Sequence, residues 1–343
     1  MNKMKDSSVV LGFSGGIDSA TAVGLLQDAG YDVVALTLDT FADEKMLQHA
    51  RSRAEELGVL HVVKDVRQEF KESIIQYFAD SYMSGHTPAP CTICNSTIKW
   101  RFLLSEADRM GARAIATGHY FNIEQHNGHY YVVRAKDLHK DQSYYLWGLS
   151  QEILSRAVTP MGNIIKEDVK RNFADKRESM GLCFLAGRSY REFMESNYPA
   201  AVRQGEIVDL QGNVVGRHDG VAFYTIGQKR GLDVDLSGVC IVGIDAERNQ
   251  LIVGTNQDLY YETLEVKQCN IVDIDEFMGS DDVSVVIRGI GRNPEGFMRR
   301  VERIDGGYCI RLDDPAWAPA VGQPVVFYRQ NRVIGGGILE RYR

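Results

Sequence analysis

The chain of 343 residues has 39 lysine and arginine residues against 46 aspartate and glutamate residues, a formal net charge of −7. With 44% hydrophobic and 25% charged residues, it predicts a soluble globular protein of two or three domains. The acidic balance argues against a protein that coats nucleic acid nonspecifically, because such binding depends on neutralising phosphates. No apolar run is long enough to span a membrane and residues 1–6 lack an apolar signal core, so we expect a cytoplasmic protein without a membrane partner.

The first half of the chain alternates strand and helix patterns. The predicted strands are residues 9–13, 32–38, 60–66 and 114–117, and the predicted helices are residues 19–29, 45–57, 70–82 and 95–110. The apolar run Val33-Val34-Ala35-Leu36 is typical of a buried parallel strand. This order predicts a doubly wound α/β domain with a parallel sheet, in which ligands bind beyond the carboxyl ends of the strands.

A glycine-rich loop, residues 12–19, joins the first strand to the first helix. Its glycines allow a close approach of the backbone to an anion, and Ser14, Ser19 and the helix amides offer hydrogen-bond donors. Neither GxxxxGK[ST] nor GxGxxG fits these residues. The loop resembles the pyrophosphate loop SGGxDS, whose enzymes cleave ATP between the α and β phosphates and adenylate an oxygen. The alternative is a tight turn without a ligand.

Two thiols have CxxC spacing just before the predicted helix 95–110. The N-terminus of that helix can lower the pKa of Cys91 or Cys94 and favour a nucleophilic thiolate. The spacing also occurs in redox, zinc and iron–sulfur sites, although no second CxxC supports a four-cysteine zinc site. Cys183 is the other cysteine of the first half. The remaining cysteines lie in apolar strand-like segments and are predicted to be core residues: Cys240, Cys269 and Cys309.

The helical pattern stops at about Gly205, and short strands with glycine turns follow. Residues 205–209, 239–244 and 251–254 predict a small β-rich unit. Four further strands suggest a compact antiparallel barrel or sandwich, at residues 283–287, 308–312, 325–328 and 333–339. We therefore predict domains at residues 1–200, 201–260 and 261–343.

Several sequence blocks occur in an order that resembles one family. They are the loop at residues 12–19, Thr87-Pro88-Ala89-Pro90 with Cys94-Asn95, Ala116-Thr117-Gly118-His119-Tyr120, Lys140-Asp141-Gln142-Ser143-Tyr144-Tyr145, Gly181-Leu182-Cys183-Phe184, residues 225–232 and Gly335-Gly336-Gly337-Ile338. Together they resemble the bacterial tRNA-specific 2-thiouridylases, the MnmA/TrmU family. The resemblance spans nearly the whole chain and implies a pyrophosphate-loop ATPase domain, a β-rich central domain and a C-terminal β-barrel that contacts tRNA.

The resemblance also implies a reaction and its site residues. ATP with Mg²⁺ would adenylate O2 of the wobble uridine, and sulfur would then replace that oxygen to give 2-thiouridine, AMP and pyrophosphate. Cys94 would be the nucleophile and Cys183 the persulfide carrier. The implied nucleotide-binding residues are Gly12, Phe13, Ser14, Gly15, Gly16, Ile17, Asp18, Ser19, Leu38 and Gly118. The implied tRNA contacts are Lys140, Asp141, Gln142, Arg288 and Arg292.

The implied partners are the glutamate, lysine and glutamine tRNAs and a cysteine desulfurase or another sulfur-relay protein. The chain departs from the family at Cys91, where many members carry aspartate, and in a shortened loop at residues 39–44. A third thiol opens a second route to sulfur delivery. A [4Fe-4S] cluster on Cys91, Cys94 and Cys183 could bind hydrosulfide at an open iron and replace the persulfide.

Two other functions are compatible with the loop. An amide-forming synthetase of the pyrophosphate-loop class would use ammonia and would not need Cys94 or Cys183. A nucleotide-binding regulator would keep the loop without catalysis. His119 is expected to be a structural hydrogen-bonding residue, because a histidine after a strand more often has that role than a catalytic one.

Overall fold

The computed structural model describes residues 7–171, 181–234, 236–289 and 291–343. The strands of the first half are β1 (Ser8–Gly12), β2 (Asp32–Asp39), β3 (Leu60–Asp65), β4 (Ala114–Thr117), β5 (Asn122–His126), β6 (His129–Val133) and β7 (Ala157–Val158). The helices are α1 (Ile17–Asp28), α2 (Glu44–Glu56), α3 (Arg67–Phe70), α4 (Gln76–Met83), α5 (Pro90–Cys94), α6 (Trp100–Met110), α7 (Gln151–Arg156), α8 (Lys166–Arg171) and α9 (Tyr190–Asn197). Within the described residues, no helix is both long and apolar enough to cross a membrane.

A five-stranded parallel sheet in the order β3-β2-β1-β4-β7 forms the centre of the first half. Val10 of β1 pairs with Val34 on one side and Ile115 on the other. The chain builds outward from β1 in one direction and then returns to place β4 on its other side. Such a reversal leaves a crevice between the carboxyl ends of β1 and β4, which is where ligands of these folds bind.

The helix that carries the CxxC thiols begins earlier than predicted. A helical run extends from Pro90 through α5, a π-helical turn at Asn95–Lys99, and α6. The expected start at residue 95 is therefore wrong. Proline has a fixed φ suited to the first helical position, so Pro90 can start the run before the thiols. Cys91 and Cys94 consequently lie inside the first turns of the helix rather than before it.

The second half is rich in β-structure, as predicted. Its central part contains β8 (Gly205–Val208), β9 (Val214–His218), β10 (Asp233–Val234), β11 (Cys240–Asp245) and β12 (Gln250–Gly254), which form a sheet in the order β10-β9-β8-β12-β11. The C-terminal part contains β13 (Tyr260–Ile271), α10 (Ile274–Gly279), β14 (Val283–Val286), β15 (Met298–Ile304), β16 (Gly307–Trp317), β17 (Pro324–Arg329) and β18 (Arg332–Tyr342). These strands form an antiparallel sheet in the order β14-β17-β18-β13-β16-β15. The predicted fold class is confirmed.

One hairpin of the first half belongs to the C-terminal sheet. Strands β5 and β6 pair with each other, and Val132 and Val133 of β6 pair with Val333 and Arg332 of β18. The hydrophobic core follows the same connection, because Tyr328 and Val333 pack in one cluster with Val10 and Trp100 of the α/β half. The two ends of the chain are thus joined through a shared sheet and a shared core.

Candidate functional site

The glycine-rich loop leads directly from β1 into α1. Gly15 has φ +76°, and a Cβ on it would lie 3.0 Å from both Ala50 Cα and His49 Cδ2 of α2. Gly16 is the N-cap of α1, and because glycine has no side chain it does not cap the first amides of the helix. Its backbone N–H donates to Ser14 Oγ at 3.3 Å. A loop with this backbone path presents helix N-terminal amides to the crevice, which suits an anion.

The other expected nucleotide-binding residues lie around the same loop. Leu38 is next to the carboxyl end of β2, which pairs with β1. Gly118 follows β4, and a Cβ on it would lie 3.0 Å from the backbone carbon of Asp18 and from the backbone nitrogen of Ser19. A Cβ at this position would require the backbone of the loop to shift by a few tenths of an ångström. The structure therefore brings Gly118 to the loop at residues 12–19, and Leu38 lies near the end of the strand next to β1.

Asp18, in the first turn of α1, is the centre of a small polar cluster. Tyr120 OH donates to Asp18 Oδ1 at 2.8 Å. Lys166 Nζ donates to the same oxygen at 2.5 Å and lies 5.6 Å from the Tyr120 ring centroid. The Lys166 side chain is 5% exposed, whereas that of Asp18 is 37% exposed. A carboxylate that faces the crevice is thus paired with a buried ammonium that the sequence analysis did not single out.

The three candidate thiols lie near one another. Cys91 and Cys183 reach solvent and Cys94 is half-buried. Desolvation by the surrounding protein raises the pKa of all three thiols, to about 11 for Cys94. The charge of Cys183 adds to the shift in the pKa of Cys94, and the charge of Cys91 adds to that of Cys183. The direction of these pKa shifts is opposite to the lowering expected from the helix N-terminus.

Lys99 is the cation shared by these thiols. Its charge lowers the pKa of each of the three cysteines and opposes the effect of burial. The π-helical turn between Cys94 and Lys99 sets their relative position on the helix. π-Helical turns are rare in proteins, and those that do occur are often found at functional sites. Sequence reasoning missed Lys99, because a lysine in a helical pattern reads as a solvated surface residue.

His119 connects Lys99 to the end of β4. Its Nε2 lies 3.4 Å from Lys99 Nζ, and its Nδ1 lies 2.8 Å from Thr117 Oγ1. Desolvation, followed by the charge of Lys99, holds the pKa of His119 well below its ordinary value. The imidazole is therefore neutral at pH 7 and serves as a hydrogen-bonding residue between the crevice and the thiols, in agreement with the sequence expectation.

All six cysteines are free thiols. Within the described part of the chain, no three histidine, cysteine, aspartate or glutamate side chains are placed to hold one metal ion. Cys240 is fully buried as predicted, whereas Cys269 and Cys309 are only half-buried.

The segment expected to contact tRNA is largely occupied by contacts within the protein. Asp141 accepts hydrogen bonds from Ala135 N at 2.8 Å and from Ser143 Oγ at 2.6 Å, and it faces Arg134 at 3.5 Å. Gln142 Oε1 accepts from Tyr120 N at 2.9 Å. The Lys140 backbone N–H donates to Asp137 O at 3.1 Å. Asp141 is 6% exposed at its side chain, so its main contacts are structural.

The two arginines expected to contact tRNA differ in their surroundings. Arg288 is half-buried, donates to Ala318 O, and lies with its guanidinium 5.0 Å from the Trp317 ring centroid. Burial lowers the pKa of Arg288. Arg292 is exposed and donates to Tyr260 OH at 2.8 Å. Arg292 is therefore the more accessible cation of the pair.

Comparison with known proteins matches both halves of the chain to one family. The profile described as the tRNA methyl transferase HUP domain matches residues 7–187, and that of the tRNA methyl transferase PRC-barrel domain matches residues 191–255. A tRNA-specific 2-thiouridylase MnmA 1 from Bacteroides fragilis is 39% identical over 358 residues, which cover 98% of each chain. The chain belongs to the MnmA family. The predicted family resemblance is thereby confirmed.

Other members of the MnmA family match over a similar length. The MnmA 2 protein of Phocaeicola vulgatus is 40% identical, and the match covers 97% of this chain and 98% of that protein. The MnmA protein of Clostridium perfringens is 34% identical, and the match covers 98% of this chain and 99% of that protein. Among solved structures, a predicted tRNA methyltransferase subunit from Methanocaldococcus jannaschii matches with a TM-score of 0.35 and 17% identity, covering 55% of this chain and 87% of that one.

Proposed function

We propose that this protein is a tRNA 2-thiouridylase that uses ATP to activate a uridine and two cysteines to deliver sulfur. The observation that carries the proposal is one crevice with two kinds of chemistry at its edge. The loop at residues 12–19 offers amides and hydroxyls for phosphates, and a helix beside it carries thiols that share the cation Lys99. The named activity of the MnmA relatives requires an activated base and a sulfur donor, and this arrangement supports both.

The first step adenylates the base. ATP lies on the loop, with the amides of α1 and the hydroxyls of Ser14 and Ser19 facing its phosphates. The uridine O2 attacks the α-phosphorus, and pyrophosphate leaves. Bound Mg²⁺ would screen the phosphate charges, and Asp18 is the loop carboxylate that could face it. The adenylated oxygen is then a good leaving group.

The second step replaces that oxygen with sulfur. The terminal sulfur of a Cys183 persulfide attacks C2 of the base, and AMP leaves with the original oxygen. The Cys94 thiolate then attacks Sγ of Cys183, which breaks the persulfide S–S bond, releases 2-thiouridine and forms a Cys94–Cys183 disulfide. A thiol reductant must reduce this disulfide before the next turnover. A sulfur-relay protein or cysteine desulfurase would supply the persulfide sulfur.

The tRNA surface is proposed to include Lys140 and Gln142 beside the crevice and Arg292 in the loop between β14 and β15. Arg292 is the exposed cation, so it is the strongest candidate for a phosphate contact. Asp141 and Arg288 are proposed to position this surface from within. The glutamate, lysine and glutamine tRNAs are the proposed acceptors.

The test is nucleoside mass spectrometry of unmodified tRNA incubated anaerobically with the protein, ATP, Mg²⁺, a cysteine desulfurase with its substrate cysteine as the source of persulfide sulfur, and a thiol reductant. We expect 2-thiouridine with the native protein, and its loss in Cys94→Ala. Cys309→Ala, which removes a thiol from β16, is the matched control and should keep the activity. Failure of the native protein to thiolate tRNA that it binds would contradict the proposal.

The same preparation separates the other candidate functions. Release of pyrophosphate that depends on tRNA excludes a non-catalytic regulator. Retained ATP-dependent product formation in a Cys94→Ser, Cys183→Ser variant would favour an amide-forming synthetase. Iron and acid-labile sulfide in anaerobically purified protein would favour the cluster predicted on Cys91, Cys94 and Cys183 over the persulfide.

A further inference from the structure

The phosphate loop contains no lysine of its own, yet a lysine ammonium reaches it. Lys166, at the start of α8, lies 148 residues beyond Asp18 and bonds to its Oδ1. Only 4% of Lys166 is exposed. Lysine is almost never this buried unless its charge is compensated, because desolvating an ammonium is costly. The fold therefore maintains a positive charge at the loop.

Three contacts hold Lys166 in this position. Its backbone N–H donates to Asp137 Oδ2 at 3.0 Å. Helix α8 packs against α1, the helix that follows the glycine-rich loop. The Tyr120 ring lies 5.6 Å from Nζ, and the Tyr120 hydroxyl bonds to the same carboxylate oxygen as the ammonium. The position of Nζ beside the loop is thus determined by several elements and not by one flexible ion pair.

The carboxylate partner makes this position informative. Asp18 faces the crevice and is 37% exposed, so a bound triphosphate would meet a negative charge at the first turn of α1. An ammonium at Oδ1 compensates that charge. A buried ion pair is by itself weak support for a stabilising role, because desolvation offsets the Coulomb attraction. An ion pair at the edge of an anion-binding site can serve a different purpose, because its cation can move from the carboxylate to the bound anion.

We propose that Lys166 is the phosphate-binding lysine of this site, held by Asp18 in the absence of nucleotide and contacting phosphate oxygens of bound ATP. This proposal rests on the ATP-binding part of the proposed function. A lysine is suited to the task because its ammonium is a compact charge on a flexible chain. Walker A loops place such a lysine within the loop itself. Here a distant helix would supply the same chemical group.

The experiment measures the binding of Mg²⁺ with α,β-methylene-ATP by calorimetry, without tRNA. Lys166→Met should weaken binding by roughly tenfold or more, which equals about 1.4 kcal/mol. Lys166→Arg, which keeps the charge, should recover most of the affinity. Lys170→Met is the matched control, because Lys170 lies one turn further along α8 and pairs with Glu167. The affinity of the Lys170→Met variant for the ATP analogue should equal that of the native protein.

A double variant separates contact with phosphate from simple neutralisation of Asp18. If Lys166 acts only by compensating the carboxylate, Lys166→Met should cost no further affinity in an Asp18→Asn background. We expect Lys166→Met to weaken binding in that background as well, relative to Asp18→Asn alone, and an absence of any further loss would overturn the proposal. Thermal unfolding of each variant checks the fold, and Lys166→Gln, which can still donate to Asp18, replaces Lys166→Met if the latter does not fold.

The outcomes also distinguish this proposal from the proposed function. Native protein that binds no ATP analogue would contradict both the ATP-dependent function and the proposed contact. Native protein that binds the analogue while Lys166→Met and Lys166→Gln bind it equally well would contradict the role of Lys166 alone. Binding that depends on Lys166, in a protein that does not thiolate tRNA, would support this proposal and contradict the function.

Discussion

At the scale of single residues, burial rather than helix position determines the state of the candidate nucleophile. The sequence pattern placed Cys91 and Cys94 before a helix, where a lowered pKa is expected. In the structure they lie within its first turns, and desolvation raises their pKa values. Local sequence cannot predict this outcome, because desolvation depends on which distant segments pack around the thiols. The resting protein therefore keeps Cys94 protonated at pH 7.

The reactivity of Cys94 should follow from its pKa of about 11. We expect its rate of alkylation by iodoacetamide to rise with pH beyond pH 9, where an ordinary thiol is already levelling off, because only the thiolate reacts. Peptide mass spectrometry across the pH series measures the rate.

Lys99→Met should slow the alkylation of Cys91, Cys94 and Cys183 together at pH 8, because the lysine charge lowers the pKa of each thiol. Lys64→Met is the control, since Lys64 pairs with Glu106 instead. An unchanged rate at all three cysteines in Lys99→Met would contradict the electrostatic role of Lys99.

At the scale of elements, the strongest sequence signals are local ones. The loop, its flanking strand and the first helix were predicted from adjacent residues, and the structure has them at nearly the same positions. The π-helical turn at Asn95–Lys99 was not predicted, because its pattern of polar and apolar residues is compatible with an ordinary helix. Lys166 was not singled out either, because 148 residues separate it from Asp18. Contacts of that range are decided by tertiary packing.

The approach of the turn after β4 to helix α1 gives a prediction at this scale. Gly118→Ala should weaken the binding of an ATP analogue by roughly tenfold, about 1.4 kcal/mol, because the added Cβ would lie 3.0 Å from the backbone of Asp18 and Ser19. Gly24→Ala, within helix α1, is the control, since nothing lies within 4 Å of a Cβ placed on Gly24. Calorimetric titration measures both. Equal affinities in the two variants would show that the close approach is unimportant.

At the scale of the whole molecule, the α/β half and the C-terminal sheet are linked by side chains as well as by strands. Ser143 Oγ lies 2.9 Å from Tyr328 OH, and the Arg134 guanidinium lies 4.0 Å from the Tyr328 ring centroid. Tyr144 OH donates to Ile287 O at 3.2 Å and to Pro324 O at 3.1 Å. The separate β-rich half was predictable from its strand patterns. Its union with the first half was not, because the pairing of β6 with β18 joins residues distant in the chain.

This linkage predicts that the two parts unfold together. Differential scanning calorimetry should show one transition that includes both, and Asp141→Ala should destabilise it by roughly 3 kcal/mol because a buried hydrogen-bonded carboxylate is removed. Asp313→Ala, which removes an exposed carboxylate from β16, should have little effect. Two well-separated transitions in the native protein would contradict the linkage.

The pairing of β6 with β18 also bears on any attempt to study the chain without its C-terminal sheet. A fragment that ends at residue 260 would lack β18 and leave the backbone of Val132 and Val133 without its strand partner. It would also uncover the apolar surface that Tyr328 and Val333 cover in the intact chain. An exposed strand edge with an apolar face is a template for intermolecular β-pairing. Such a fragment should aggregate, and solubility would require that the C-terminal sheet be supplied with it.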